Sequence, residues 1–196
     1  MLIKLAVLFS GNGSNLENIL NKFHKKTIGG NDYEVVLCLS NKKEAFGIQR
    51  ALKFGLETVV VEHKNFKNRD EFDKALVKEI QKSSADLTIL AGFMRILGPV
   101  FTKNIKAINL HPSLLPLFKG ANAIRESFDS GMKVAGGTVH FVNEELDGGK
   151  IIAQMAFQKE ENMKYEDFEK EIHRLEYEIL PRSIIKLFNP HPLISF

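Results

Sequence analysis

The passage that most restricts the fold is the first one. Leu2 to Phe9 is an apolar run that reads as a buried strand. Ser10-Gly11-Asn12-Gly13-Ser14-Asn15 follows at once, and Leu16, Ile19, Leu20 and Phe23 then recur at helical spacing. A strand, a glycine turn and a helix N-terminus make a site for an anion, because backbone N–H groups and the helix dipole both favour negative charge there. Glycine lets the backbone approach closely, and Ser14 or Asn15 is placed to cap the helix or to touch a phosphate. The dinucleotide fingerprint wants a third glycine where Leu16 stands and an acidic residue where Ser40-Asn41 stand. Nor does the loop end in the Gly-Lys-Ser/Thr of a nucleoside triphosphate site. A single phosphate suits these residues better, and a tight turn with no ligand is the plainer alternative.

The same alternation continues along the chain. Tyr33 to Leu39 reads as a strand, Ala45 to Phe54 as a helix stopped by Gly55, and Thr58 to Val61 as a strand. Asn68 to Lys82 is an amphipathic helix with Phe72, Leu76 and Ile80 on one face, and Ala85 to Leu90 is a strand. The lysines around that helix and in Lys22 to Lys26 read as solvated faces. The pattern predicts an α/β fold, a mainly parallel, Rossmann-like sheet with helices on both sides. In such sheets ligands sit beyond the carboxyl ends of the strands. The Gly11 loop, the segment after Leu90 and the pair at Asn109 all fall at that edge.

Gly92-Phe93-Met94-Arg95-Ile96-Leu97-Gly98-Pro99 is an apolar segment carrying one arginine. It reads either as a connector packed on the core or as the wall of a pocket for a flat ring, with backbone groups at Arg95 and Leu97 free to bond the ring's edge. Further on, Ala107-Ile108 ends a buried run and leads into Asn109-Leu110-His111-Pro112-Ser113-Leu114-Leu115-Pro116. Residues two apart on an extended backbone face the same way, so Asn109 and His111 are presented side by side. The prolines forbid continued pairing and stiffen the exit. An amide donor beside an imidazole suits acyl-type chemistry: one donates to a developing oxyanion, and the other donates or moves a proton. A hydrogen-bonded histidine at a strand end is the structural alternative.

Gly120 to Ser130 reads as a helix. Lys133 to Val142 reads as a strand in which Gly136-Gly137 allows a bulge or a close backbone approach. His140 faces one side of it, in a structural or a functional role. A loop, Asn143-Glu144-Glu145-Leu146-Asp147-Gly148-Gly149, leads into a strand from Lys150 to Phe157. Asp147-Gly148 is ordinary hairpin chemistry, yet a carboxylate there could reach His111, orient its ring and favour the imidazolium. Lys164 to Phe188 is a helix that Pro181 should bend or interrupt. At 100° per residue, Glu176 lies about 40° from Ile172, inside the apolar arc. A carboxylate there needs a partner, either an internal cation or the hydroxyl or amine donors of a ligand.

Composition narrows the classes. Of 196 residues, 44% are hydrophobic and 26% charged, which permits one sizeable core. A dispersed net charge of +3 argues against nucleic acid and mildly favours small anions. The single cysteine, Cys38, allows no internal disulfide and no cysteine metal cage. There is no long uncharged apolar segment and no export signal, so the expectation is a soluble, cytoplasmic protein without a membrane partner.

Taken together, the segments Ser10–Asn15, Leu90–Leu97, Asn109–Pro116, Val139–Val142 and Glu145–Gly149 resemble the phosphoribosylglycinamide formyltransferase family, in family order and from end to end. The resemblance implies a formyltransferase fold, with an antiparallel C-terminal strand pair, in one domain over residues 1–196. Its phosphate-binding half would cover about 1–100, and its folate-binding and catalytic half about 101–196. It implies formyl transfer from 10-formyltetrahydrofolate to glycinamide ribonucleotide in purine synthesis, without a metal, by a monomer or homodimer. It implies Asn109, His111 and Asp147 as the catalytic residues. Gly11, Asn12, Gly13, Ser14, Asn15 and Glu176 would hold the ribonucleotide, the loop its 5′-phosphate and Glu176 its ribose hydroxyls. Met94, Arg95, Ile96, Leu97, Asn143, Glu144 and Leu146 would line the folate pocket. The match is loose at Lys119 to Arg125 and around His173, so ligand contacts there stay open. Formyltetrahydrofolate deformylase and methionyl-tRNA formyltransferase share the trio. The first carries an extra N-terminal domain and the second a C-terminal RNA-binding domain, neither of which is expected in this chain.

Overall fold

The computed structural model describes residues 1–189. These form two compact units, Met1–Ile108 and residues 109–189.

The first unit holds β1 (Leu2–Phe9), α1 (Ser14–Phe23), β2 (Lys26–Ile28), β3 (Asn31–Ser40), α2 (Gly47–Leu52), β4 (Thr58–Val60), α3 (Arg69–Ser83), β5 (Leu87–Leu90), α4 (Pro99–Thr102) and the start of β6 (Ala107–His111). Its strand order is β2-β3-β1-β5-β6, with β4 also paired to β3. β1 runs parallel to β3 and β5, and β4 parallel to β3. Ile3, Leu5, Ala6, Val7, Leu8 and Phe9 are all fully buried. That is the burial of a parallel strand covered on both faces. Helix α1 buries Leu16, Ile19, Leu20 and Phe23, and α3 buries Phe72, Leu76, Val77 and Ile80. Asn68 caps α3 by accepting the Glu71 N–H at 2.9 Å.

The second unit holds the end of β6, α5 (Ala123–Asp129), β7 (Val134–Phe141), β8 (Ile151–Gln158) and α6 (Tyr165–Phe188). β7 and β8 are antiparallel, and α6 lies against both. The architecture is the expected α/β one, mainly parallel with an antiparallel C-terminal pair.

One boundary moves and three readings gain detail. Lysines 25 and 26 are exposed, but Lys26 opens a short strand, β2, antiparallel to β3. The two glycines between these strands, Gly29 and Gly30, have φ of 58° and 80°, as a tight hairpin turn requires. Helix α5 starts at Ala123, because Gly120 has φ 90° and is not helical. The irregularity in β7 falls between Val139 and His140, not at the glycine pair. Gly136 instead serves close approach, since a Cβ there would sit 2.0 Å from the Met155 carbonyl oxygen. Helix α6 runs through Pro181 to Phe188. Proline removes one intrahelical bond, and the burial of Ile179, Leu180 and Ile184 around it offsets that loss.

Candidate active site

In the first unit, the Gly11–Asn15 loop joins β1 to α1. Gly13 occupies the cap position of α1 with φ 74°, so Ser14 and Asn15 stand inside the helix rather than as its caps. A Cβ on Gly13 would lie 2.5 Å from the Gly47 Cα, so this position needs glycine both for its backbone and for the approach of α2. The Gly47 N–H donates to the Gly11 carbonyl at 3.1 Å. Arg50 of α2 grips the loop. Its Nε and Nη2 donate to the backbone and side-chain oxygens of Asn12, both at 2.9 Å, and Nη1 pairs with Glu17. The first turn of α1 thus meets a loop held by Arg50 whose cap residue has no side chain, an arrangement suited to an anion. Leu16, where a dinucleotide site wants glycine, is a fully buried core residue.

The segment after β5 is held at both ends. Phe93 stacks on Phe72 with centroids 6.5 Å apart, and the Gly98 N–H donates to Asp73 Oδ2 at 2.7 Å. Asp73 is fully buried, and that burial raises its carboxyl above the usual range. Between these anchors Met94 and Ile96 are 64% and 51% exposed. Exposed apolar side chains on a segment anchored at its two ends fit a pocket wall better than a core connector. Leu97 departs from the expectation: its side chain is buried in the core. So does the Arg95 N–H, which is not free but donates to the Phe93 carbonyl at 2.9 Å.

In the second unit, Asn109, His111 and Asp147 come together, joined by His140. Asp147 has φ 50° at the end of its loop, and its Oδ2 accepts the Gly120 N–H at 2.9 Å. His111 Nδ1 faces the same oxygen at 3.5 Å, while its Nε2 donates to the Phe118 carbonyl at 2.8 Å. Both ring nitrogens of His111 therefore face oxygen atoms. His140 Nδ1 donates to the Phe141 carbonyl at 2.8 Å, which turns Nε2 toward Asn109 Nδ2 at 3.2 Å and Asp147 Oδ1 at 3.7 Å. Neutral, that ring accepts the Asn109 amide N–H; protonated, it turns a second N–H toward Asp147. Asn109 Nδ2 also reaches Asp147 Oδ1 at 3.4 Å. Burial would push the Asp147 carboxyl up. The His140 ring, the Gly120 N–H and the charges of the neighbouring imidazoles outweigh it and hold the carboxyl below its usual value.

The turn that follows His111 is stitched to β7. Thr138 Oγ1 donates to the Ser113 carbonyl at 2.6 Å and accepts the Leu115 N–H at 3.1 Å. Ser113 Oγ donates to the Leu117 carbonyl at 2.7 Å, close to the Phe118 carbonyl that holds His111. Lys119 Nζ pairs with Glu145 Oε1 at 2.7 Å, tying the 117–120 turn to the loop that carries Asn143, Glu144, Leu146 and Asp147. Leu146 is exposed. On α6, Glu176 is buried as its position in the apolar arc predicts, and it accepts a bond from His173 Nδ1 at 2.8 Å. The internal ion pair foreseen for Glu176 is therefore present. That bond raises His173 above the ordinary imidazole value against the opposing effect of burial.

Comparison with known proteins gives the family. A family model described as formyl transferase matches residues 3–184. The chain belongs to the formyl transferase family. It is 39% identical over 185 residues to phosphoribosylglycinamide formyltransferase of Bacillus subtilis (strain 168), which covers 93% of each chain. It is 41% identical over 184 residues to the trifunctional purine biosynthetic protein adenosine-3 of Gallus gallus, which covers 93% of this chain. The chain spans only 18% of the length of that trifunctional relative. A crystal structure of phosphoribosylglycinamide formyltransferase from Campylobacter jejuni subsp. jejuni NCTC 11168 superposes with a TM-score of 0.94 at 71% identity. That match covers 96% of this chain and 98% of the other.

In this formyl transferase, three groups around the trio were not legible as such. His140 had two open readings, and only its position opposite Asp147 decides for the cluster. The Gly120 N–H and the Phe118 carbonyl are backbone groups from a stretch with no side-chain signature. Phe118 has φ 54° and Gly120 φ 90°, which aim those groups. Among the described residues, no group of three or more His, Cys, Asp or Glu side chains is arranged to hold a metal ion, and no helix is long and apolar enough to cross a membrane.

Proposed function

We propose that this formyl transferase moves a formyl group from 10-formyltetrahydrofolate to the amine of glycinamide ribonucleotide, in purine synthesis. The observation that carries the reading is the cluster of Asn109, His111 and Asp147 in the second unit, with Asp147 fixed by the Gly120 N–H. The full-length likeness to phosphoribosylglycinamide formyltransferases supports the choice of acceptor.

Folate supplies the formyl carbon. The ribonucleotide amine forms a bond to that carbon, and the bond from carbon to the folate N10 breaks. Asn109 donates to the oxyanion of the tetrahedral intermediate between these events, and a protonated His111, whose ring nitrogens face Phe118 and Asp147, stabilises it by its charge. The long 3.4 Å contact from Asn109 to Asp147 is the one a formyl oxygen replaces, since catalytic hydrogen bonds are often loose before substrate binds. Asp147 keeps His111 charged and, through water, helps a proton pass from the attacking amine to the departing N10. In the first unit Gly11, Asn12, Gly13, Ser14 and Asn15 hold the 5′-phosphate, and Met94, Arg95, Ile96 and the Leu97 backbone meet the folate ring. In the second, Glu176 takes ribose hydroxyls, and Asn143, Glu144 and Leu146 contribute to folate binding.

The test is to mix the protein with 10-formyltetrahydrofolate and follow tetrahydrofolate release with and without glycinamide ribonucleotide. Release that depends on the ribonucleotide, with formylated product, is the expected result. Equal release without it makes water the acceptor and replaces this reading with a deformylase.

A further inference from the structure

Ser10 sits between two features that the proposed function assigns to different substrates. It is the last residue before the Gly11–Asn15 loop, and it is buried. Its backbone N–H donates to the Gly92 carbonyl at 3.1 Å, and its Oγ accepts the Met94 N–H at 2.7 Å. The first bond continues the β1–β5 ladder, in which the Ala91 N–H donates to the Leu8 carbonyl at 2.9 Å. The second does not belong to the ladder. It is a side-chain tie to the residue where the exposed segment begins.

The direction of that tie is determined by a third group. Ser10 Oγ donates its own hydrogen to Asn41 Oδ1 at 2.6 Å, which leaves a lone pair for Met94. Asn41 is buried just past the end of β3, and its Nδ2 faces His63 Nδ1 at 3.4 Å. A chain of hydrogen bonds therefore crosses the carboxyl ends of three adjacent strands, from Asn41 through Ser10 to Met94. The dinucleotide fingerprint would place an acidic, ribose-binding residue where Ser40-Asn41 stand; here Asn41 is turned inward to orient Ser10.

We propose that Ser10 is a positioning residue that couples the phosphate loop to the 92–97 segment, so that ribonucleotide and folate bind with mutual enhancement. The inference rests on the proposed function. A phosphate held at Gly11–Asn15 restrains the backbone at Ser10. A restrained Ser10 keeps the Met94 N–H, and with it the Met94–Ile96 side chains, in the conformation that meets a ring. Ordering paid once by the first ligand is not required of the second. The effect must be reciprocal, because each ligand changes the other's affinity by the same factor.

Tetrahydrofolate carries no formyl group, so its complex with glycinamide ribonucleotide cannot react. The ribonucleotide is titrated calorimetrically into the protein with and without saturating tetrahydrofolate. In the wild-type chain its affinity is expected to rise by about fivefold or more when tetrahydrofolate is present. In Ser10→Ala both ligands still bind singly, and the enhancement disappears. A merely structural role would weaken both affinities and leave their ratio unchanged. Wild-type affinities that do not depend on the other ligand, or an undiminished enhancement in Ser10→Ala, overturn the proposal. Should Ser10→Ala fail to fold, amide exchange in the wild-type chain decides. Ribonucleotide alone should slow exchange at Met94, and unchanged exchange overturns the coupling. If the wild-type chain binds neither ligand, the function and the coupling fall together. If it transfers formyl normally without coupling, only the inference falls.

Discussion

His111 Nδ1 stands 3.5 Å from Asp147 Oδ2, with both side chains almost fully buried. A buried carboxylate beside an imidazole is costly unless its lone pairs are satisfied. Here the Gly120 N–H and the Asn109 amide also reach it. The amide of Asn109 is set beside that pair.

Asn109→Ala removes the proposed oxyanion donor while leaving the Asp147 contacts to Gly120 and His111 in place. Turnover should fall on the order of 100- to 1,000-fold, with ribonucleotide KM little changed. Steady-state kinetics of the purified variant checks this, and near-normal turnover would sink the assignment.

Asp147 has its carboxyl held below the ordinary value. Such a group stabilises the fold above the unfolded carboxyl pKa, about 3.9, and that contribution is lost as pH falls through the lower folded value. Asp147→Asn should therefore melt below wild type at pH 7, and the gap should close as pH drops below about 4. Calorimetric Tm values across that range test the sign; a constant gap contradicts it.

His173 has the opposite sign. Its bond to Glu176 raises it, so the stabilisation is fully present below the unfolded imidazole pKa, about 6.5, and is lost as pH rises through the higher folded value. His173→Gln should cost stability at pH 6 and little at alkaline pH. Equal losses at both would show that the ion pair is not the source.

Gly13→Ala forces a side chain into a left-handed position and against the Gly47 backbone. Strain of about 1–2 kcal/mol from the backbone alone, plus overpacking, should lower Tm and raise ribonucleotide KM more than folate KM. A variant with wild-type Tm and unchanged KM for the ribonucleotide would remove the loop from the phosphate-binding role.

Much of the site was legible because its signals are local. The glycine loop lies between a buried strand and an amphipathic helix, so its chemistry follows from neighbours in sequence. Asn109 and His111 share a face by strand periodicity. Glu176 falls in an apolar arc by helix periodicity, and it is buried. Other features depend on backbone that has no periodic pattern. The Phe118 and Gly120 groups that grip His111 and Asp147 are aimed by positive φ values in an irregular turn. Leu97 follows an apolar run like its exposed neighbours, yet its side chain turns to the core.

The amino-acid order alone determined the alternation of strands and helices, the order of the motifs and the residue types available for acyl chemistry. Periodicity and turn chemistry are properties of adjacent residues, and they survive without any knowledge of what packs where. Tertiary structure decided which partners those residues meet. His140 joins the cluster and Asn41 turns inward to Ser10, because buried polar groups must find donors and acceptors wherever the fold brings them. Those meetings join positions as far apart as 38 residues for Asn109 and Asp147, and 84 for Ser10 and Met94. No local pattern in the chain encodes such distances; they follow from burying strands side by side and satisfying every polar group left between them.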